Sequence, residues 1–493
     1  MLTLPSPEQA SRLREFFVTT GYDNPTFVAR LGTTDPPLPQ LRNEPRFLEQ
    51  TRKPDALNCL IHWFFIGYPV AETTAREQLP DWFIALCLDH RLLRAEGDQL
   101  FPETLIVPYQ HLLIAADLHQ RLHTPDAFDQ VLSLNPTARY LLNFTIRQPQ
   151  LSTLDLGAGC GIQALLAAAH SEQVVATDLN DRATEYAQFN ARFNGLENIE
   201  CVTGDLFQPV AGRRFDLIVT NPPFVLAPSK RFIYRDNEME LDQLCRRIVR
   251  EAPDYMNEGG YFQMICEWAQ IKDEAWEERI GEWFDGVPCD VWVYKNVTRT
   301  PPWYAQTRLM ETVFESAQAD ANTFAEWMDY YRGRGVEAVH GGLIVMRRRE
   351  GSVWFKIEAQ TEGLQHPFGN AVRQNFLNRD FLEENADDAR LLASKLRFSP
   401  DAKLTQDFQY ADGHWQPKLP LLQLEQGIPY SAAFTIDVAQ FLARFDGTKT
   451  VEQLAHELAS AVDADPVQVV SECLNMVRNM VARSFLLPPK FDI

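Results

Sequence analysis

The run Asn221-Pro222-Pro223-Phe224 closes an apolar stretch, Leu217-Ile218-Val219, with a side-chain amide, two prolines and an aromatic ring. Two prolines at a strand end remove two backbone donors and stiffen the chain. Such a tip suits the chemistry of a planar nitrogen. The Asn221 side-chain oxygen can accept one N–H, and the Pro222 carbonyl, aimed by the rigid Pro-Pro pair, can accept a second. Phe224 offers a flat face for stacking. An amide or base nitrogen has its lone pair spread into a π system, so it attacks only when held close while charge drains from its N–H bonds. That step needs no strong base, and the four residues contain none.

Upstream, Leu154-Asp155-Leu156-Gly157-Ala158-Gly159-Cys160-Gly161 lies between a predicted strand and a predicted helix. Glycine lets the chain turn sharply there and lets a ligand approach the backbone. The spacing is GxGxG. The dinucleotide fingerprint GxGxxG would need glycine at 162, where Ile162 stands, so a nicotinamide cofactor is disfavoured. VVATDLN puts Asp178 at the tip of the next strand, where a carboxylate can accept two ribose hydroxyls. CVTGDLF puts Asp205 and Leu206 at the third tip, at the level of an adenine ring. Ligands of open α/β sheets bind at the carboxyl ends of strands, so the four tips are expected to share one crevice.

The elements that position these residues follow from pattern. STLDLGA, QVVATDL, IECVTGD and FDLIVTN are short apolar strands separated by helical stretches such as DRATEYAQFNARFNG. This alternation predicts a parallel sheet covered by helices on both faces. GGYFQMICEW, CDVWVYKN and GGLIVMRRREGSVWFKIE add later strands, the last with a hairpin turn expected at Glu350-Gly351. Before this block, ALNCLIHWFFIG, ETTAREQLP and DWFIALCLDHRLL read as helices, followed by extended arms around Gly97. After it come FTIDVAQFLARFDG, TVEQLAHELAS and a long helix begun by Asp465-Pro466. The predicted domains are therefore 1–107 (helical, winged-helix-like), 108–358 (the α/β block) and 359–493 (helical, winged-helix-like).

Together DLGAGCG, ATDLN, GDLF and NPPF, in this order and spacing, resemble the class I S-adenosylmethionine-dependent methyltransferases. More narrowly they resemble the HemK-like, small-domain group of N-methyltransferases with an [N/D/S]-PP-[Y/F] signature, over Leu151 to Glu267. The resemblance implies a doubly wound Rossmann-like α/β fold and S-adenosyl-L-methionine as cofactor. It implies that Asp155, Gly157, Gly159 and Gly161 cradle the methionine part, Asp178 the ribose, and Asp205 with Leu206 the adenine. Asn221, Pro222, Pro223 and Phe224 would be the catalytic set, with Asn221 also facing the cofactor.

Within that group the acceptor is a protein glutamine amide, guanine N2 or adenine N6. Phe224 tilts toward RNA, since HemK-like enzymes usually carry Tyr there. VLSLNPTARYLL (131–142) stands where HemK-like enzymes carry VLxPRPxTExLV. It agrees at Val131, Leu132, Pro136 and Leu141, with Ala138 and Arg139 replacing Thr-Glu. The expected substrate is a protein glutamine, possible translation factors included, with a ribosomal or transfer RNA base as the alternative. A non-catalytic regulatory protein on the same fold is the second alternative, opposed by the intact Asp155, Asp178, Asp205 and Asn221.

Composition sets outer bounds. The net charge of −21 disfavours broad attraction to phosphate backbones. No apolar run reaches the length of a membrane span. The N-terminal stretch lacks the pattern of a secretion signal, and eight cysteines without a CxxC pair suit reduced thiols, so a cytoplasmic protein is expected. His119 and His123 lack further ligands, so no metal site is expected. Lys230, Arg231 and Arg235 follow the catalytic tip and are expected on the substrate side. Arg347-Arg348-Arg349 is expected to decorate a hairpin edge, and PPWYAQT (301–307) to form an inserted loop or core.

Overall fold

The computed structural model describes residues 2–32, 44–124, 127–310, 317–359, 367–426, 428 and 430–489. Most of the proline-rich stretch TTDPPLPQLRNEP, and the polar stretch 360–366, lie outside them. The chain forms two compact units, Met1–Leu141 with Pro149–Thr361, and Leu142–Gln148 with Glu362–Ile493. The expected boundary at 107/108 falls inside the first unit and inside a strand, Leu105–Tyr109.

The first unit is built on eight strands: β1 Gln150–Leu156, β2 Ser171–Asp178, β3 Ile199–Thr203, β4 Phe215–Thr220, β5 Met256–Ile271, β6 Cys289–Arg299, β7 Val336–Arg348 and β8 Phe355–Ala359. Their order is β3-β2-β1-β4-β5-β7-β6-β8. β1 to β5 run parallel, and β7 is antiparallel to both β5 and β6. Val174, Val175, Leu217, Ile218, Val219 and Phe262 are all buried, as expected for a sheet covered on two faces. This is a doubly wound, Rossmann-like α/β sheet. The order reverses between β1 and β4, where such sheets open a crevice.

One expectation is corrected here. β8 does not fold back on β7 through a hairpin at Glu350-Gly351. It runs parallel to β6, Val291 pairing with Phe355, while Gly351 takes φ +97° in the connection. The arginine run is corrected too. Arg347 is buried and its guanidinium donates to fully buried Asp290 at 2.6 Å, so it neutralises a core carboxylate rather than guarding an edge. PPWYAQT begins a helix, Pro301–Leu309, with Tyr304 buried and Trp303 exposed.

Ahead of the sheet, Ala56–Ile61 runs on into a π-turn, His62–Ile66. Glu72–Gln78 and Asp81–Asp89 follow, with a small antiparallel sheet of Val70–Ala71, Gln99–Pro102 and Leu93–Glu96. A second hairpin, Leu105–Tyr109 with Leu112–Ala116, is buried almost throughout. Its outer edge would leave buried backbone groups unpaired. Helix Asp181–Phe193 fills that role. The Asn190 amide exchanges two hydrogen bonds with Ala115 (2.7 and 2.8 Å), and Asn194, one turn on, does the same with Leu113 (2.9 and 2.8 Å). Two asparagines thus stand in for a third strand.

In the second unit, Val451–Val462 and Pro466–Ala482 pack Leu454, Val477 and Val481 against Leu391, Leu442 and Phe485. Thr450 and Gln453 form a capping box, and Asp465 caps the last helix from the residue before Pro466. A ribbon, Phe408–Ala411 with His414–Pro417, turns at Asp412-Gly413, both at positive φ.

Candidate active site

Strand register brings the tips together. Leu156 pairs with Thr177 on one side and Thr220 on the other, so Gly157, Asp178 and Asn221 leave the sheet side by side. Asp178 pairs with Thr203, just before Gly204-Asp205-Leu206. Thr220 Oγ1 donates to the Leu156 carbonyl at 2.7 Å, tying the β4 tip to the β1 tip.

The glycine turn is shaped by backbone geometry. Gly157, Gly159 and Gly161 have φ of +73°, +57° and +82°, where side chains are strained. A Cβ on Gly157 or Gly159 would meet no atom within 4 Å, whereas one on Gly161 would come within 3.1 Å of the Ala187 backbone. The first two glycines face open space, and the third permits close helix packing. The N–H groups of Gly157 and Ala158 donate to the Thr177 carbonyl.

Asp155 is 1% exposed, and its Oδ2 accepts the Ala164 N–H at 2.9 Å. It thereby caps the helix Ile162–Ala167, whose own N-cap, Gly161, has no side chain to do so. Burial pushes its carboxyl up to about 7, against the pull of the Ala164 N–H, and nearby Asp178 adds to the rise. Asp178 accepts N–H bonds from Gly159 and Asn180, each at 2.8 Å, and burial also raises its pKa. Asp205 is half exposed, with Arg247 at 3.8 Å, and Leu206 takes φ +46°.

Asn221 follows the β4 tip, its Nδ2 donating to Thr137 Oγ1 at 3.4 Å. The Pro223 carbonyl accepts from Asn237 Nδ2 at 2.8 Å, and Phe224 is 7% exposed. Asp155, Gly157, Gly159, Asp178, Asp205, Leu206, Asn221, Pro222, Pro223 and Phe224 all line one cavity of about 1170 Å³. Of the residues expected to bind the cofactor or form the catalytic set, Gly161 alone does not line it, and of the three basic residues expected on the substrate side Arg231 does not.

Several lining residues were not foreseen. Leu179, 54% exposed, presents an apolar surface beside Asp178. Its position directly after the acidic tip was the available signal. Glu267 on β5 is 5% exposed and gathers three donors: Tyr304 Oη at 2.5 Å, Arg308 at 2.7 Å and Arg299 at 3.1 Å. Tyr304 in turn accepts the Leu226 N–H at 3.2 Å, so this network braces the segment after Phe224. These partners are far apart in sequence and carry no local signature. A bulge between Lys295 and Val297 leaves Asn296 facing the same cavity.

The basic residues after the tip behave differently from one another. Arg235 is buried in a two-bond pair with Asp236, so its charge is committed within the fold. Lys230 lines the cavity 3.4 Å from Glu238, and Arg231 is exposed. His119–His123 form a 3₁₀ turn. Among the described residues no group of His, Cys, Asp or Glu is arranged to hold a metal ion, and no helix is long and apolar enough to cross a membrane.

The doubly wound sheet and the cavity at its strand tips are those of a Rossmann-like fold with a ligand site at the switch point. Residues 131–284 match the family model described as methyltransferase small domain. The ribosomal protein uL3 glutamine methyltransferase of Bradyrhizobium diazoefficiens is 36% identical over 146 residues, 27% of this chain and 46% of that protein. The release factor glutamine methyltransferase of Xylella fastidiosa is 35% identical over 129 residues, 24% of this chain and 46% of that protein. The ribosomal RNA small subunit methyltransferase C of Alcanivorax borkumensis is 32% identical over 113 residues, 23% of this chain and 31% of that protein. The chain spans less than half the length of each of these relatives. Residues 131–284 are thus similar to the methyltransferase small domain, a family whose activity implies S-adenosylmethionine as methyl donor.

The cavity suits such a ligand. Among the described residues, Gln163 and Thr177 of its lining carry buried side-chain oxygens without hydrogen-bond partners. Asp178 offers remaining lone pairs beside apolar Leu179, a combination matched to a ribose joined to a planar base.

Proposed function

We propose that the protein is an S-adenosylmethionine-dependent N-methyltransferase whose acceptor is a glutamine side-chain amide in a protein. The observation that carries this reading is the shared cavity, with the glycine turn, Asp178 and Asp205 on one side and Asn221 to Phe224 on the other. S-adenosylmethionine supplies a methyl group on a sulfonium sulfur, open to in-line attack. Asp155 and the glycines at 157, 159 and 161 shape the seat for the methionine part, Asp178 holds the ribose, and Asp205 with Leu206 borders the adenine. Asn221 Oδ1 and the Pro222 carbonyl accept the two N–H groups of the acceptor amide and stabilise the charge that develops on it. Phe224 stacks on its plane. The extra proton becomes acidic as the nitrogen is methylated, so no strong base is required at the tip.

Two of the relatives are named as glutamine methyltransferases of a ribosomal protein and of a release factor. A net charge of −21 favours a basic protein partner over a bare phosphate backbone. The winged-helix-like segment around 56–102 and the C-terminal helices would select that partner, with action in the cytoplasm on the translation apparatus. A ribosomal or transfer RNA base is the second reading. It is favoured by Phe224 in the fourth signature position, by Lys230 and Arg308 in the cavity wall, and by the ribosomal RNA relative.

The test is tritiated S-adenosylmethionine incubated with lysate from a strain lacking the gene. Label that protease removes, and that mass spectrometry assigns to methylglutamine, supports the protein reading. Label that survives protease and is lost to ribonuclease overturns it in favour of RNA.

A further inference from the structure

Asn221 can act on an acceptor only if its oxygen, not its nitrogen, faces the reacting N–H. An amide can be turned either way, so something must choose. A chain of hydrogen bonds from the start of a neighbouring helix makes that choice.

Asn135 precedes the helix Pro136–Phe144, and its Oδ1 accepts the Ala138 N–H at 2.8 Å. A backbone N–H can only donate, so the Asn135 atom facing it is the oxygen. The same oxygen lies 2.8 Å from Thr137 Oγ1, so the Thr137 hydroxyl proton points to it. Thr137 Oγ1 then has only lone pairs to offer on its other side. The group it meets there is Asn221 Nδ2, at 3.4 Å. A flipped Asn221 would set oxygen against oxygen, so Oδ1 is turned away from Thr137. Among the described residues Oδ1 has no hydrogen-bond partner, and Asn221 lines the cavity. An acceptor drawing on Oδ1 would polarise Nδ2 and tighten the long contact to Thr137.

We propose that Thr137 is a positioning residue that, polarised by the helix cap Asn135, fixes the Asn221 amide with its oxygen toward the acceptor nitrogen. The proposal rests on the reading of Asn221 as the acceptor-binding group. Thr137 occupies an unspecified position of the VLxPRPxTExLV pattern, so the arrangement belongs to this chain's own NPT sequence, where the Thr-Glu pair is missing.

The experiment compares wild type, T137V, T137A, T137S and N221A in the full chain. It reads tritium transfer from saturating S-adenosylmethionine into the protein fraction of lysate lacking the gene, and S-adenosylhomocysteine binding by calorimetry. T137V keeps the shape of the side chain and removes the hydroxyl. It is expected to slow transfer roughly 10- to 100-fold, the scale of losing one oriented polar group at a reacting centre, with homocysteine-cofactor affinity unchanged. T137S should restore most of the rate. If T137V does not fold, T137A carries the same expectation. Wild-type transfer in T137V or T137A, with none in N221A, overturns the positioning role and leaves the reading of the site intact. A parallel loss of rate and cofactor affinity also overturns it, because that is damage to the helix start. Full transfer in N221A sinks the reading of the site itself.

Discussion

Replacing Asp155 by asparagine should make the protein more stable, and more so at higher pH. The Asp155 carboxyl is 1% exposed and its pKa is about 7, against 3.8 for the free group. The shift is upward, so between those two values the folded state holds a proton that the unfolded state has released. Stability from this group is therefore fully present below about pH 4, falls as pH rises toward 7, and stays at its lower level above that. At 1.36 kcal/mol per pH unit the full loss is about 4 kcal/mol at pH 8, and about 2 kcal/mol of it is already felt at pH 5. Asparagine keeps an oxygen for the Ala164 N–H and carries no charge. Urea denaturation of wild type and D155N, followed from pH 5 to 8, gives the difference between the two as a function of pH. Ionisable groups common to both cancel in that difference. A gap that widens with pH supports the reasoning. A D155N protein that is less stable at pH 8, or a gap independent of pH, refutes it. The same substitution should weaken cofactor binding, since strain of this kind persists where function requires it.

Other substitutions probe the supports of the site. E267Q leaves Arg308 and Arg299 without their shared counter-charge and should cost about 3 kcal/mol in urea denaturation. N190A removes the partner of Ala115 N–H, Ala115 C=O and the Cys160 carbonyl at once, and should cost roughly 3 kcal/mol. Because Cys160 lies in the glycine turn, cofactor affinity should fall with it. G161A meets both a positive φ and the Ala187 backbone and should lower stability by roughly 2 kcal/mol or more, whereas G97A, at positive φ in open space, should cost about 1 kcal/mol. Thermal melts of the pair separate strain from crowding.

What could be read from the sequence was what local pattern encodes. The apolar strands ending in Asp155, Asp178 and Asn221 announce themselves because β-rich runs stop at glycine, acid or proline. The helix start at Asp465-Pro466 is short-range too, and it is found where the sequence put it. The hairpin Leu105–Ala116 was hidden because its turn, Gln110-His111, lacks glycine or asparagine, although Gln110 takes φ +54°. The ribbon at 408–417 did carry a signal, the Asp412-Gly413 pair between alternating aromatics. β8 was misassigned because a turn-like Glu350-Gly351 fixes where a strand ends and not which strand it joins. Glu267, Tyr304 and Arg308 could not be paired in advance, since only folding brings β5 and helix Pro301–Leu309 to one place.

The central claim is that cofactor and acceptor groups occupy separate sides of one cavity, and calorimetric titration with S-adenosylhomocysteine tests it most directly. Wild type should bind one equivalent, D178A should bind at least roughly 30-fold more weakly, about 2 kcal/mol for lost ribose contacts, and N221A should bind within a few-fold of wild type. A wild-type protein that takes up no ligand, or an N221A protein weakened as much as D178A, would contradict it.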